Sequence, residues 1–285
     1  MRTLYKCFCI VYNEVHPNSG ISGGKPMNTN ERPLENMVTD GGFCGIFETI
    51  GCVGDSLSSG EFESLSETGE KHYHDYYRYS WGQFMARACG STVYNFSRGG
   101  MTAKVFNESF GEKCGFYDED KRCQAYILAL GVNDVLNRGW EVGTTADICL
   151  EDPAQNKPTF AGEYARIIQK IKEMQPKARV FLMTIPRGNR TPEREAIADR
   201  HAELLHQIAG MFEFTYVLDF RRYAPVYDAE FRKNYFLGGH MNPMGYLLTA
   251  KYVMSYIDYI IRNNMEDFAQ VGFIGTPYHN ASAKW

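Results

Sequence analysis

Five short runs rich in β-branched and aromatic residues punctuate the chain, at about 47–53, 92–96, 124–130, 178–184 and 214–219. Each is bounded by Gly, Asn, Asp or Ser, which predicts strands. Between the third and fourth runs Tyr164, Ile167, Ile168, Ile171 and Met174 recur at helical spacing, and between the fourth and fifth Ile197, His201, Leu204, Leu205, Ile208 and Phe212 do the same. Strand and helix alternate throughout. The alternation predicts an α/β fold: a mostly parallel five-stranded sheet covered by helices on both faces, with ligands beyond the carboxyl ends of the strands. A last helix is expected after Asn242, which can cap it, with Pro243 at its first position and Tyr246, Ala250, Val253, Ile257 and Ile260 as its apolar stripe.

The flanks carry less pattern. Residues 1–42 are rich in Gly, Pro, Asn and Ser and are expected to form an irregular arm; residues 43–264 are expected to form one α/β domain, with the aromatic but aperiodic tail 265–285 packed on it as a strap. Gly23-Gly24-Lys25 is not a phosphate loop, because it lacks the leading glycine and Pro26 stands where Ser or Thr would bind the metal. The apolar Cys7–Tyr12 patch is short and leads into Asn13-Glu14-Val15-His16-Pro17, so a cytoplasmic location is favoured over secretion.

Composition narrows the class. With 285 residues and 44% hydrophobic residues the chain can bury a substantial core, and 30 Lys+Arg against 34 Asp+Glu leave a net charge of -4. No basic run tracks a phosphate backbone, so nucleic acid is not an expected partner. No run approaches a membrane-spanning length. Eight scattered cysteines contain no C-x-x-C pair, and Cys52 and Cys123, in or beside strands, read as small buried thiols.

The strand ends then supply chemistry. The first run stops at Gly54-Asp55-Ser56-Leu57, placing Ser56 at a strand-to-helix turn where its hydroxyl can attack and its N–H can face an oxyanion. The pattern is Gly54-x-Ser56-x-Ser58, not G-x-S-x-G, which argues against the α/β-hydrolase fold. The second run ends in Ser97-Arg98-Gly99-Gly100-Met101-Thr102, where Gly100 N–H is a second donor candidate. The third stops at Gly131-Val132-Asn133-Asp134, offering Asn133 Nδ2 as a third. Near the C-terminus His240, in Gly238-Gly239-His240-Met241-Asn242, is the base candidate. His201 and His206 fall in a helical pattern, and His72-x-His74 has no third ligand nearby.

Ser56, Gly100, Asn133 and His240, in this order on successive strand ends, resemble the defining blocks of the GDSL, or SGNH, hydrolase superfamily over roughly residues 46–264. The resemblance implies a three-layer α/β/α flavodoxin-like sandwich that hydrolyses esters with no metal or organic cofactor. It implies Ser56 as nucleophile, His240 as base and then acid, and Ser56 N–H, Gly100 N–H and Asn133 as the oxyanion hole. One position departs: the family's aspartate three residues before the histidine is Leu237 here. A backbone carbonyl accepting from His240 in a Ser-His dyad ranks first as replacement, then a carboxylate from elsewhere (Asp228, Glu230 or Asp219), then a weak catalyst.

The segment Glu61–Trp81 directly after the serine is read as an aromatic loop walling the site, its faces suited to sugar rings. Arg98, Lys104, Arg138 and Arg187 lie near strand ends and could meet an anionic group. The favoured substrate is an acetylated carbohydrate or similar small ester. A lysophospholipase, a thioesterase, an acyltransferase on the same site, and a catalytically inactive glycan-binding protein are the alternatives. Self-association into a homo-oligomer is left open.

Overall fold

A computed structural model of the chain describes residues 30–285. Cys7, Cys9, His16, the Gly23-Gly24-Lys25 piece and all but the end of the expected 1–42 arm lie outside the described residues. The chain divides into two units, Met1–Glu31 and Arg32–Trp285, and the second holds every described helix and strand.

In chain order that unit runs β1 (Thr49–Gly54), α1 (Ser56–Ser59), β2 (Glu61–Leu65), β3 (Lys71–Asp75), α2 (Trp81–Cys89), β4 (Thr92–Ser97) and β5 (Ala125–Ala129). It continues with α3 (Phe160–Met174), β6 (Arg179–Met183), α4 (Pro192–Ala209), β7 (Thr215–Leu218), α5 (Ala229–Tyr235), β8 (Phe236–Leu237), β9 (His240–Met241) and α6 (Pro243–Asn263). The five expected strands form one parallel sheet in the order β4-β1-β5-β6-β7, with Ile50 opposite Val93 and Ala125, Ala125 opposite Arg179, and Val180 opposite Thr215.

Successive side chains of a strand point to opposite faces, and a parallel sheet must be covered on both. Tyr126, Leu128, Val180 and Leu182 accordingly pack with Tyr164, Ile167, Ile168 and Ile171 of α3 and Leu204, Leu205 and Ile208 of α4. On the other face Ile50, Cys52, Ala125, Ile127 and Phe181 meet Trp81 and Met85 of α2 and Tyr246, Ala250, Val253 and Ile257 of α6. This is the α/β/α sandwich expected. Cys52 and Cys123 are buried free thiols.

Local capping sets where the helices begin. Thr159 accepts from Gly162 N–H before α3, and Thr191 and Asn242 cap α4 and α6 with Pro192 and Pro243 at the first position. Helix α4 ends at Ala209, so Phe212 lies beyond the helix its spacing suggested. After α6, Phe268, Val271 and Ile274 are buried against the second cluster, and the Gln270 amide bonds Asn280 N–H and the Ala283 and Lys284 carbonyls. No described helix is long and apolar enough to cross a membrane.

One element departs from expectation. The segment after Ser56 is an antiparallel hairpin, with Glu61 opposite Asp75 and Glu63 opposite Tyr73. Its second strand is exposed along its whole length, so neither strand carries the apolar alternation that marks a half-buried strand in sequence.

Candidate active site

Strand β1 delivers Ser56 to the sheet's carboxyl edge. A Cβ on Gly54 would lie 2.2 Å from Ser58 Oγ, so only glycine lets the strand turn so tightly into α1. Asp55 caps the turn, its Oδ1 accepting from Leu57 N–H at 3.1 Å. Ser56 is the first helical residue and stands half-buried.

Beyond β4, Arg98 and Met101 close a turn through Met101 N–H to Arg98 O (3.2 Å), which uses neither of the central amides, Gly99 and Gly100. Gly100 has φ +70, a conformation that favours glycine. Beyond β5, Asn133 Nδ2 donates to Met101 O (3.1 Å) and Asp55 Oδ2 (3.4 Å), tying three strand ends together. Asn137 Nδ2 donates to Asn133 Oδ1 at 2.9 Å and fixes which way that amide faces. Asp134 Oδ1 accepts from Ala103 N–H (2.8 Å), a second link between the same two loops.

Two buried carboxyls underlie this edge. Burial pushes Asp55 up to about 7, with Asp134 and Glu61 adding to the rise against the Leu57 N–H bond. Burial likewise pushes Asp134 up to about 6.

His240 opens β9 of the two-residue β8–β9 hairpin, opposite Leu237. Leu237 is 53% exposed and cannot orient the ring. The carboxylate at Nδ1 is Glu63 Oε1, 3.0 Å away and 177 residues earlier in the chain. Glu63 is itself held by Gly239 N–H (2.6 Å) and Lys71 Nζ (2.8 Å). Burial works upward on it, but Lys71, His240 and Gly239 together leave it below the usual carboxylate range. A Cβ on Gly238 or Gly239 would lie 2.3 or 2.4 Å from the Glu63 carboxylate oxygens, so the paired glycines make room for that carboxylate.

The acceptor at Nδ1 is thus neither the backbone carbonyl ranked first nor any of the three carboxylates named from sequence. Asp219 is occupied by Arg222 N–H (3.0 Å) and His206 Nε2 (3.0 Å). Asp228 caps α5 through Phe231 N–H (2.9 Å), and Glu230 in that helix's first turn accepts from Asn234 (3.2 Å). Helix capping took Asp219 and Asp228, and a one-turn side-chain pair took Glu230. The signal for Glu63 was present as Glu61-x-Glu63 right after the nucleophile turn: residues two apart on a strand share a face.

Both glutamates do face His240. Glu61 Oε1 lies 3.0 Å from Nε2, and a Cβ on Gly99 would lie 2.0 Å from Glu61 Oε2. Burial raises the Glu61 carboxyl; His240 opposes the rise while Asp75 and Glu63 reinforce it. The Tyr246 hydroxyl donates to the Glu61 carbonyl, and Asp75 accepts from Ser59 Oγ at 2.5 Å, so α6 and α1 both grip the hairpin. Tyr73 stands edge-on to His240 with centroids 5.8 Å apart, and Tyr73, Tyr76 and Tyr79 are exposed, whereas Trp81 is core.

The basic residues named from sequence spread around the rim. Arg138 reaches Gly100 O (3.5 Å) and lies over Trp140, as does Lys104. Arg98 covers Phe110, and Arg187 receives Tyr227 N–H at its carbonyl. His201 is buried against Leu130 O, its pKa lowered by burial to about 4. Among the described residues no group of three His, Cys, Asp or Glu side chains could hold a metal ion.

Two carbohydrate esterases of family two share the fold. That from Corynascus thermopiles, solved with its carbohydrate-binding domain, is 15% identical with a TM-score of 0.53, covering 75% of this chain and 67% of its own. That from Clostridium thermocellum, solved with cellohexaose, is 12% identical with a TM-score of 0.50, covering 77% of this chain and 65% of its own. No curated protein matches. The sequence profile of one family matches residues 52–248, from the strand that leads to Ser56 into the helix that follows His240. By that match the chain belongs to the GDSL-like lipase/acylhydrolase family and is an ester hydrolase by class.

Proposed function

We propose that the chain is a serine carboxylester hydrolase that removes a small acyl group, acetyl, from a carbohydrate or similar small ester through an acyl-enzyme on Ser56. In this reading Ser56 Oγ attacks the ester carbonyl and His240 Nε2 takes its proton. The oxyanion that forms is met by Ser56 N–H, Gly100 N–H and Asn133 Nδ2. His240 then gives the proton to the leaving alcohol, and the same base activates water to free the acid.

The observation that carries the reading is Glu63 at 3.0 Å from His240 Nδ1. A carboxylate there keeps the Nδ1 proton in place, leaves Nε2 as the basic nitrogen and stabilises the imidazolium that forms. The family's third role is filled from a hairpin rather than from the loop before the histidine.

For the acyl side, an apolar cavity lies beside the turn that carries Ser56, lined among others by Asp55, Leu57, Ser58, Val132 and Met241. For the alcohol side, the exposed rings of Tyr73, Tyr76 and Tyr79 offer faces for sugar rings. The deciding measurement is a p-nitrophenyl ester series from acetyl to decanoyl with wild type and Ser56→Ala, alongside acetate release from acetylated oligosaccharides. Activity greatest at acetyl and lost in Ser56→Ala is expected. Equal rates in the two proteins would end the serine mechanism, and a maximum at long chains would move the substrate to lipid or thioester.

A further inference from the structure

We infer that Glu61 is a gate built into the active site: its carboxylate occupies His240 Nε2 and must leave before Ser56 can be activated. The inference rests on the proposed serine mechanism. It concerns a residue that the mechanism itself does not use.

Nε2 has one in-plane direction for a hydrogen bond, so Ser56 Oγ and Glu61 Oε1 compete for it. At 3.0 Å Glu61 holds the position. Its second oxygen rests on Gly99, beside the Gly100 amide, as the 2.0 Å approach of a Cβ built there records. A carboxyl group so placed fills the space beside the peptide that would receive the oxyanion. The closed geometry therefore opposes both proton abstraction and oxyanion formation.

The gate is weakly latched on its own side. Glu63 has three partners, Lys71 Nζ, Gly239 N–H and His240 Nδ1. Glu61 meets His240, while Asp75, Glu63 and Asp55 nearby are like charges. Its backbone is fixed by the β2–β3 ladder and by Tyr246, so opening needs only rotation of the side chain. The proton balance closes. One proton lies between Oε1 and Nε2, and burial favours the neutral acid at Glu61, so Glu61 can carry that proton away as a carboxyl. Nε2 is then bare and the Nδ1 proton still faces Glu63. A substrate whose acyl group takes the vacated space completes the exchange.

The test uses the full chain and a fluorophosphonate probe, which phosphonylates a serine with loss of fluoride and so reports the Ser56–His240 couple without deacylation. Rates of Ser56 labelling, read by mass spectrometry, are compared for wild type, Glu61→Ala and the near-isosteric Glu61→Gln. If the open form is about a tenth of the population, freeing Nε2 raises the Glu61→Ala rate about 10-fold, because the apparent rate scales with the competent fraction. Glu61→Gln, which still reaches Nε2 but carries no charge, is expected to fall between. Labelling of wild type with no acceleration in either variant overturns the gate and leaves the esterase reading standing. Slower labelling in both makes Glu61 a helper of catalysis and also overturns it. Absence of Ser56 labelling in all three proteins sinks the serine mechanism and the gate together.

Discussion

At the scale of single residues, the site depends on which carboxylate meets which nitrogen of His240. Glu63 is buried, triply bonded and on the Nδ1 side. Replacing it leaves Ser56, Gly100 and Asn133 in place but frees the ring to turn and to take the wrong tautomer. Glu63→Gln is expected to lower kcat by up to roughly 10⁴ with KM nearly unchanged, the loss seen on disabling the orienting acid of a serine triad. Glu63→Asp, shorter but charged, is expected to recover part of the loss. A merely structural role would give a different result, in which both variants lose stability together and kcat per folded molecule stays constant. Asp219, Asp228 and Glu230 were equally plausible by sequence position, and each turned out to serve a cap, a helical turn or another histidine. Short-range hydrogen bonds to the chain's own amides claim Asp and Glu side chains wherever a helix begins, so position alone could not rank them.

At the scale of elements, the β2–β3 hairpin links the turn that carries Ser56 to the short hairpin that carries His240. It follows α1 directly, packs against β9, and is pinned to α6 by the Tyr246 hydroxyl on the Glu61 carbonyl. Tyr246→Phe keeps the ring in the core and deletes that one bond. It is expected to cost about 1 kcal/mol in denaturant unfolding, the usual net worth of a hydrogen bond, and to lower kcat more than that loss implies, because both glutamates ride on the strand. Unchanged kcat in a variant of unchanged stability would show that the ladder alone holds the hairpin. The sheet and the long helices were legible in advance, since their apolar periodicity reports burial directly. The hairpin was not, because β3 is solvent-exposed and an exposed strand leaves no periodic signature.

At the scale of the molecule, the carboxyl edge of the sheet stores electrostatic cost. Asp134 is held up to about 6 by burial, its Oδ1 bonded to Ala103 N–H and its Oδ2 buried without a partner among the described residues. A carboxyl whose pKa is raised by folding stabilises the fold while protonated, and that contribution is lost as pH rises from about 3.8 through about 6. Asp134→Asn removes the titration while keeping an acceptor for Ala103. The stability of the variant relative to wild type is therefore expected to climb between about pH 4 and pH 6, by roughly 2 to 3 kcal/mol, and then level off. Denaturant unfolding of both proteins across pH 4 to 8 measures it; a constant difference would mean that Asp134 titrates normally. Taking the difference cancels His201, whose lowered pKa acts with the opposite sign over much the same range.

The same division explains what could be read in advance for the whole chain. Apolar period, caps and glycine-bounded strand ends are local, so the sequence alone determined the five parallel strands, the covering helices and the placing of Ser56, Gly100 and Asn133 beyond their carboxyl ends, whereas His240 opens a short hairpin outside the sheet. The family match over residues 52–248 follows that frame. What oriented the histidine was decided only in three dimensions. Glu61 and Glu63 meet it from 177 residues away in the case of Glu63, through a hairpin whose register sets two carboxylates on the two nitrogens of one ring. No local spacing encodes such an encounter. It exists because the β8–β9 turn packs against β2 of the hairpin, against α1 and against α6, while Tyr246 of α6 bonds the Glu61 carbonyl, and only the closed fold brings those surfaces together.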